Sequence, residues 1–193
     1  MTPKKHLLLK PFRYIDGSKA LLAGIVILTA CSIPAFYIQF RHDGFLDFHE
    51  AASSSYWYLL DPYINWITFA LLTCITGFLF KKRFRVIDIF GMTAVAFFPL
   101  ILLPLIAYAF GLSGIYQSIT DVTLTEVPRV IRPFMLQLVL SAFLMIALYV
   151  WFLYLVFQAF QTNLNLRKQQ NIIVYILLIV LTESITTLLL RSY

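Results

Sequence analysis

Charge is what this chain has least of. Only 12% of its 193 residues are charged, against about 25% in a soluble domain, and that deficit excludes an ordinary soluble enzyme. With 61% hydrophobic residues and a mean hydropathy of +0.84, too little polar surface exists to cover a water-exposed core. Sequence signatures of catalysis are missing as well. There is no G-x-x-x-x-G-K-[ST], no H-E-x-x-H and no G-x-S-x-G, and no histidine falls inside an apolar run where it would serve as an intramembrane base. The expectation is a non-enzymatic protein without a cofactor. Low-complexity stretches, long linkers and internal repeats are also absent, so residues 1–193 are expected to form a single membrane domain.

What is present is a set of five apolar runs, about 19–40, 58–80, 86–110, 133–157 and 172–190. Each is long enough to cross roughly 30 Å of hydrocarbon as a helix. Barrel strands would alternate polar and apolar residues over about ten positions, whereas these runs are apolar on every face. The fold class predicted is an all-α membrane protein, a bundle of five transmembrane helices. Cys31 and Cys74 lie in different, oppositely directed runs at depths differing by roughly 9 Å, so buried free thiols are expected.

Orientation follows from the fifteen Lys and Arg residues, because short basic loops stay cytoplasmic. Eleven fall on one side: Lys4, Lys5, Lys10, Arg13, Lys19, Lys81, Lys82, Arg83, Arg85, Arg167 and Lys168. Arg41, Arg129, Arg132 and Arg191 fall on the other. The bias predicts a cytoplasmic N-terminus and an external C-terminus in a cell membrane, with the bacterial inner membrane the natural setting. Tyr56, Trp57 and Tyr58 then mark the outer interface, and Phe157 and Phe160 the inner one. The excess of basic residues sits beside span ends and lacks the polar domain of a nucleic-acid surface, so the partners expected are the bilayer and its anionic headgroups. Residues 4–15 interleave basic and apolar side chains and are expected to lie along the inner leaflet. The segment Leu28-Thr29-Ala30-Cys31 is similar to a lipoprotein processing site, but apolar residues continue to Phe40, and the first run is expected to be an uncleaved signal anchor.

Small residues mark where helices approach closely. Ala20, Ala23 and Gly24 give the first span such a face, and Gly91 with Ala94 gives one to the third. Pro99 and Pro104 remove backbone hydrogen bonds from the third span, freeing the carbonyls of Val95 and Leu100, so it should bend near its middle. Asp61-Pro62 reads either as a cap with proline in the first helical turn or as a kink in a helix begun near residue 53.

Ionisable residues at membrane depth are costly, so each requires a reason. Asp88 opens the third span, where the helix dipole favours a negative charge, and Arg85 lies three residues earlier on the same face; the two are expected to be a structural pair. Glu183 lies about 12 Å from Arg191 along the fifth span, on a stripe with Thr182, Thr186 and Thr187. Asp61, Asn65, Gln137 and Glu183 fall at similar depths in the outer half of the bilayer. They are therefore a candidate polar cluster, read either as an interhelical clasp or as a ligand site. In the first outer loop, His42, Asp47, His49 and Glu50 combine imidazole with carboxylate. That chemistry suits a divalent metal such as zinc, although the spacing matches no established metal motif and a solvated acidic loop has the same composition.

One stretch carries a family likeness. Lys81 to Pro99, K-K-R-F-R-V-I-D-I-F-G-M-T-A-V-A-F-F-P, resembles bacterial members of the Yip family, the Ypt-interacting membrane proteins. In them a short basic loop leads into a span with an Asp, then a Gly and a Pro, matched here by Asp88, Gly91 and Pro99. The opening Lys10-Pro-Phe-Arg-Tyr-Ile and the five-span plan are also similar, whereas Phe97 stands where some relatives carry a basic residue. Eukaryotic relatives are trafficking adaptors for Rab-type GTPases, so the resemblance implies a membrane scaffold or adaptor with a protein partner. The alternative is a small transporter or channel with an outward-facing site around Glu183. Five spans would then call for a second copy, and the charge bias allows only a parallel homo-oligomer.

Overall fold

The computed structural model describes residues 11–50, 56–120, 122–123, 125–166 and 168–191. Five helical segments are long and apolar enough to cross a membrane: Gly17–Tyr37, Asp61–Leu79, Val86–Ala109, Val127–Leu164 and Gln169–Leu190. They match the five apolar runs of the sequence, and the chain is a multi-pass helical protein. Helix α1 is Gly17–Tyr37 and α2 is Asp61–Leu79. The third span is divided into α3 (Val86–Val95), a 3-10 turn (Phe98–Ile101) and α4 (Leu102–Ala109). Two short helices, α5 (Leu112–Thr120) and α6 (Val127–Ile131), lead to α7 (Met135–Leu164) and α8 (Lys168–Leu190).

Small residues decide which helices touch. A Cβ on Gly24 would overlap the Cβ of Ala94, and one on Gly91 would fall 2.8 Å from the backbone nitrogen of Leu21 and 2.9 Å from the Cβ of Ala20. The two faces identified from sequence therefore meet, and α1 and α3 pack backbone to backbone. Their basic ends are tied by Asp88, whose Oδ1 accepts the N–H of Gly17 at 2.9 Å while Oδ2 lies 3.6 Å from Arg85 Nε. The expected pair is present and also caps the first turn of α1, where backbone donors lack helical partners.

The prolines act as expected, and more sharply. The α-helical pattern of the third span ends at Val95, gives way to the 3-10 turn that holds Pro99, and resumes at Leu102 with Pro104 in the first turn of α4. Cys31 Sγ lies 3.7 Å from the carbonyl oxygen of Phe97 in that break and donates to it. Both cysteines are free and buried. At Asp61-Pro62 a 3-10 turn (Tyr56–Leu59) precedes α2, which starts at Asp61 with proline in its first turn. Residues 51–55, where the kinked alternative would begin, lie outside the described residues. So do residues 1–10, which include most of the segment expected along the inner leaflet.

Four buried threonine hydroxyls in the spans are satisfied by their own helices. Thr73, Thr93, Thr182 and Thr186 each donate to the carbonyl four residues earlier. The threonine stripe beside Glu183 is therefore partly spent on its own backbone. At the basic end, Lys82 Nζ donates to the carbonyl of Asn165 at 3.1 Å, joining the loop after α2 to the end of α7.

Candidate functional site

The polar residues of the opposite end converge on the loop that follows α1. This loop is no solvated arm. Strand β1 (Phe40–Arg41) pairs antiparallel with β2 (His49–Glu50), with Phe40 opposite Glu50 and Arg41 opposite His49. The segment between the strands turns back into the bundle. Phe45, 2% exposed, is the tip. Its ring lies 5.2 Å from Phe69, 5.9 Å from Phe97 and 5.1 Å from Phe152 between centroids. Aromatic burial of this kind is the main apolar gain the loop makes on folding back.

A backbone inserted among helices needs partners for its N–H and C=O groups. Two residues of the expected cluster provide them. Asn65 on α2 donates from Nδ2 to the carbonyls of His42 at 2.9 Å and Gly44 at 3.0 Å. Glu183 on α8 accepts the N–H of Leu46 through Oε2 at 2.7 Å, and Thr187 Oγ1 lies 3.4 Å from its Oε1. A side chain on Gly44 would not fit, because its Cβ would stand 2.6 Å from Glu183 Oε1. Asn65 and Glu183 thus grip the same five-residue segment, His42 to Leu46, instead of bonding to each other.

Asp61 joins them through Arg41. The Arg41 Nε lies 3.3 Å from Asp61 Oδ2, its Nη2 donates to the carbonyl of Leu190 at 3.0 Å, and its guanidinium carbon lies 4.5 Å from the centre of the Tyr58 ring. A cation at the carboxyl end of α8 also opposes the helix dipole. Gln137 does not take part, since its side chain is exposed on α7. The expected hydrogen bonds from Gln137 to Glu183 are replaced by the loop backbone.

The metal candidates are regrouped. Asp43, Asp47 and His49 bring one ligand atom each within 4.8 Å of one another. Two members of the expected set, Asp47 and His49, are retained, and Asp43 takes the place of His42 and Glu50. His42 is 4% exposed, with its ring 4.6 Å from that of Phe48. Burial lowers its pKa to about 4, with Asp47 opposing and His49 adding to the shift. Glu50 turns to Ser113, whose hydroxyl donates to Oε1 at 2.9 Å. Burial raises the Glu50 pKa and that bond partly offsets it.

Three residues carry this site without having stood out in the sequence: Arg41, Asp43 and Phe45. Their common signal is Asp43-Gly44-Phe45-Leu46, a turn dipeptide followed by large apolar residues in a segment otherwise polar enough to be solvated. Comparison of the chain with protein-family models, curated proteins and solved structures finds no match.

Proposed function

We propose that this chain is a non-enzymatic five-span membrane scaffold or adaptor, similar in plan to the Yip family, with its N-terminus in the cytoplasm and its C-terminus outside. The observation that supports this reading best is the filling of the outer end by its own first loop. Phe45 occupies the centre of the helices, and Asn65 and Glu183 direct polar atoms to loop backbone. That is the behaviour of a clasp. The basic loop Lys81 to Arg85 is the face left for recognition, with Arg85 70% exposed, and it meets anionic headgroups or an acidic protein surface.

Single cysteines at Tyr56 and Arg83, in a background with Cys31 and Cys74 replaced by serine, test the orientation. Position 56 should label from outside and position 83 from the cytoplasm; the reverse pattern removes the reading. In nanodiscs the melting temperature should rise with anionic lipid content. Replacing Lys81, Lys82, Arg83 and Arg85 together by glutamine should abolish that rise.

A second reading, a small transporter, has one observation in its favour. Asn65 Oδ1 and the Tyr149 hydroxyl are buried without hydrogen-bond partners among the described residues. Ion flux into proteoliposomes distinguishes the two. Flux above that of empty vesicles, lost in Glu183→Gln, would make transport the leading function; a scaffold gives none.

A further inference from the structure

We propose that Asp43, Asp47 and His49 bind one divalent transition-metal ion, zinc being the best match, which ties the two limbs of the inserted loop to each other beside the end of α8. The distances carry the argument. His49 Nδ1 lies 3.3 Å from Asp43 Oδ1 and 3.4 Å from Asp47 Oδ1. Two ligands bound tetrahedrally to one ion at about 2.0–2.1 Å stand roughly 3.3–3.4 Å apart. Two of the three ligand pairs therefore already have the spacing of a coordination edge, and all three atoms lie within 4.8 Å of one another.

A second observation points to the same place. Asp43 is 3% exposed, yet its Oδ1 accepts no hydrogen bond among the described residues. A buried carboxylate oxygen without a donor is costly, and the His49 nitrogen that would share the ion lies 3.3 Å from it. The other oxygens are accounted for. Arg191 Nε lies 3.6 Å from Asp43 Oδ2 and its Nη2 lies 3.2 Å from Asp47 Oδ2. Arg191 therefore holds both carboxylates by one oxygen and leaves Oδ1 of each turned towards His49, the work of an outer partner that orients metal ligands.

Donor type selects the ion. One imidazole nitrogen and two carboxylate oxygens suit zinc, cobalt or manganese, whereas calcium takes six to eight oxygens and copper(I) prefers sulfur. Two carboxylates against Arg191 leave one negative charge uncompensated when His49 is neutral. His49 and Asp47 are 43% and 34% exposed at their side chains, so an ion has a path from water. A proton on His49 is the competing occupant, since an imidazolium would also bridge the two aspartates.

The test uses the full chain, purified without a histidine tag and stripped of metal. Titration with zinc chloride should show one saturable site per chain. At a hundredfold excess over Kd, the melting temperature should rise by about 5–10 °C. Cobalt should give the visible absorption of a four-coordinate site. Asp47→Asn and His49→Ala alter partly exposed side chains and should leave the fold intact, while each weakens zinc binding at least tenfold. Glu183→Gln should retain the full zinc response. The proposal is overturned by the absence of saturable binding, by equal affinity in wild type and both variants, or by loss of the response in Glu183→Gln alone.

Discussion

The backbone N–H of Leu46 and the carboxylate of Glu183, 137 positions apart, form a 2.7 Å hydrogen bond. It explains the one carboxylate that hydropathy alone cannot place. An ionised group at membrane depth costs at least about 2.5 kcal/mol on insertion scales, and Glu183 reduces that cost by accepting from a loop that reaches down to it. Gln keeps an acceptor and Ala does not. Glu183→Ala should lower stability by about 1.5–3 kcal/mol, the range for a hydrogen bond to a charged group, and Glu183→Gln by clearly less. Thermal melting of both variants in one detergent measures the difference. Equal losses would mean that charge, and not the bond to Leu46, is what the position contributes.

Phe45 should be the most costly apolar residue of the loop. Truncation to Ala removes a ring in contact with Phe69, Phe97 and Phe152, and deletions of this type cost about 3–5 kcal/mol. The same change opens a route towards Cys31, which bonds to the Phe97 carbonyl. A small water-soluble maleimide should therefore label Cys31 faster in Phe45→Ala than in the wild type. Unchanged labelling and stability would show that the loop does not seal the bundle.

Contact between α1 and α3 depends on the missing side chain of Gly24. Gly24→Ala places a methyl group on Ala94, and overpacking of this kind costs roughly 1–3 kcal/mol. The double variant Gly24→Ala with Ala94→Gly relieves the overlap and should recover most of the loss. If the second change gives no recovery, the two helices are not held at the distance described.

His42 makes the protein sensitive to acid. Its pKa is about 4 in the folded chain against about 6.5 in an unfolded one. It stays neutral in the fold while the unfolded chain takes up a proton. Its stabilising contribution is thus complete above pH 6.5 and is lost as pH falls from there towards 4, by about 1.4 kcal/mol per unit and about 3 kcal/mol in all. Asp47 and His49 act on it electrostatically, so the control is His42→Gln in metal-free buffer. Melting temperature against pH should fall less steeply between 6.5 and 4 in that variant. Parallel curves would exclude His42 as the source.

Sequence alone is enough for the five spans, for a proline disturbance in the third, for the small-residue faces at Gly24 and Gly91, and for the grouping of the basic loops at one end. These are local or additive properties. Apolar length decides what can cross hydrocarbon, proline acts on its own helix, and each basic residue is counted where it stands. Position along each helix is legible for the same reason, because residue number converts directly to distance along its axis. Rotation about that axis, and the path of a loop, are not. Gln137 was placed level with Glu183 yet turns outwards, and the direction a helix faces is set by which neighbour it packs against. Only the tertiary structure brought the first loop inwards, since the gain from burying Phe45 arises from three rings contributed by three different spans. The same fold exchanged His42 and Glu50 for Asp43 beside His49. The pairing across β1 and β2 decides which side chains of the loop share a face, and that register has no counterpart in the order of the residues.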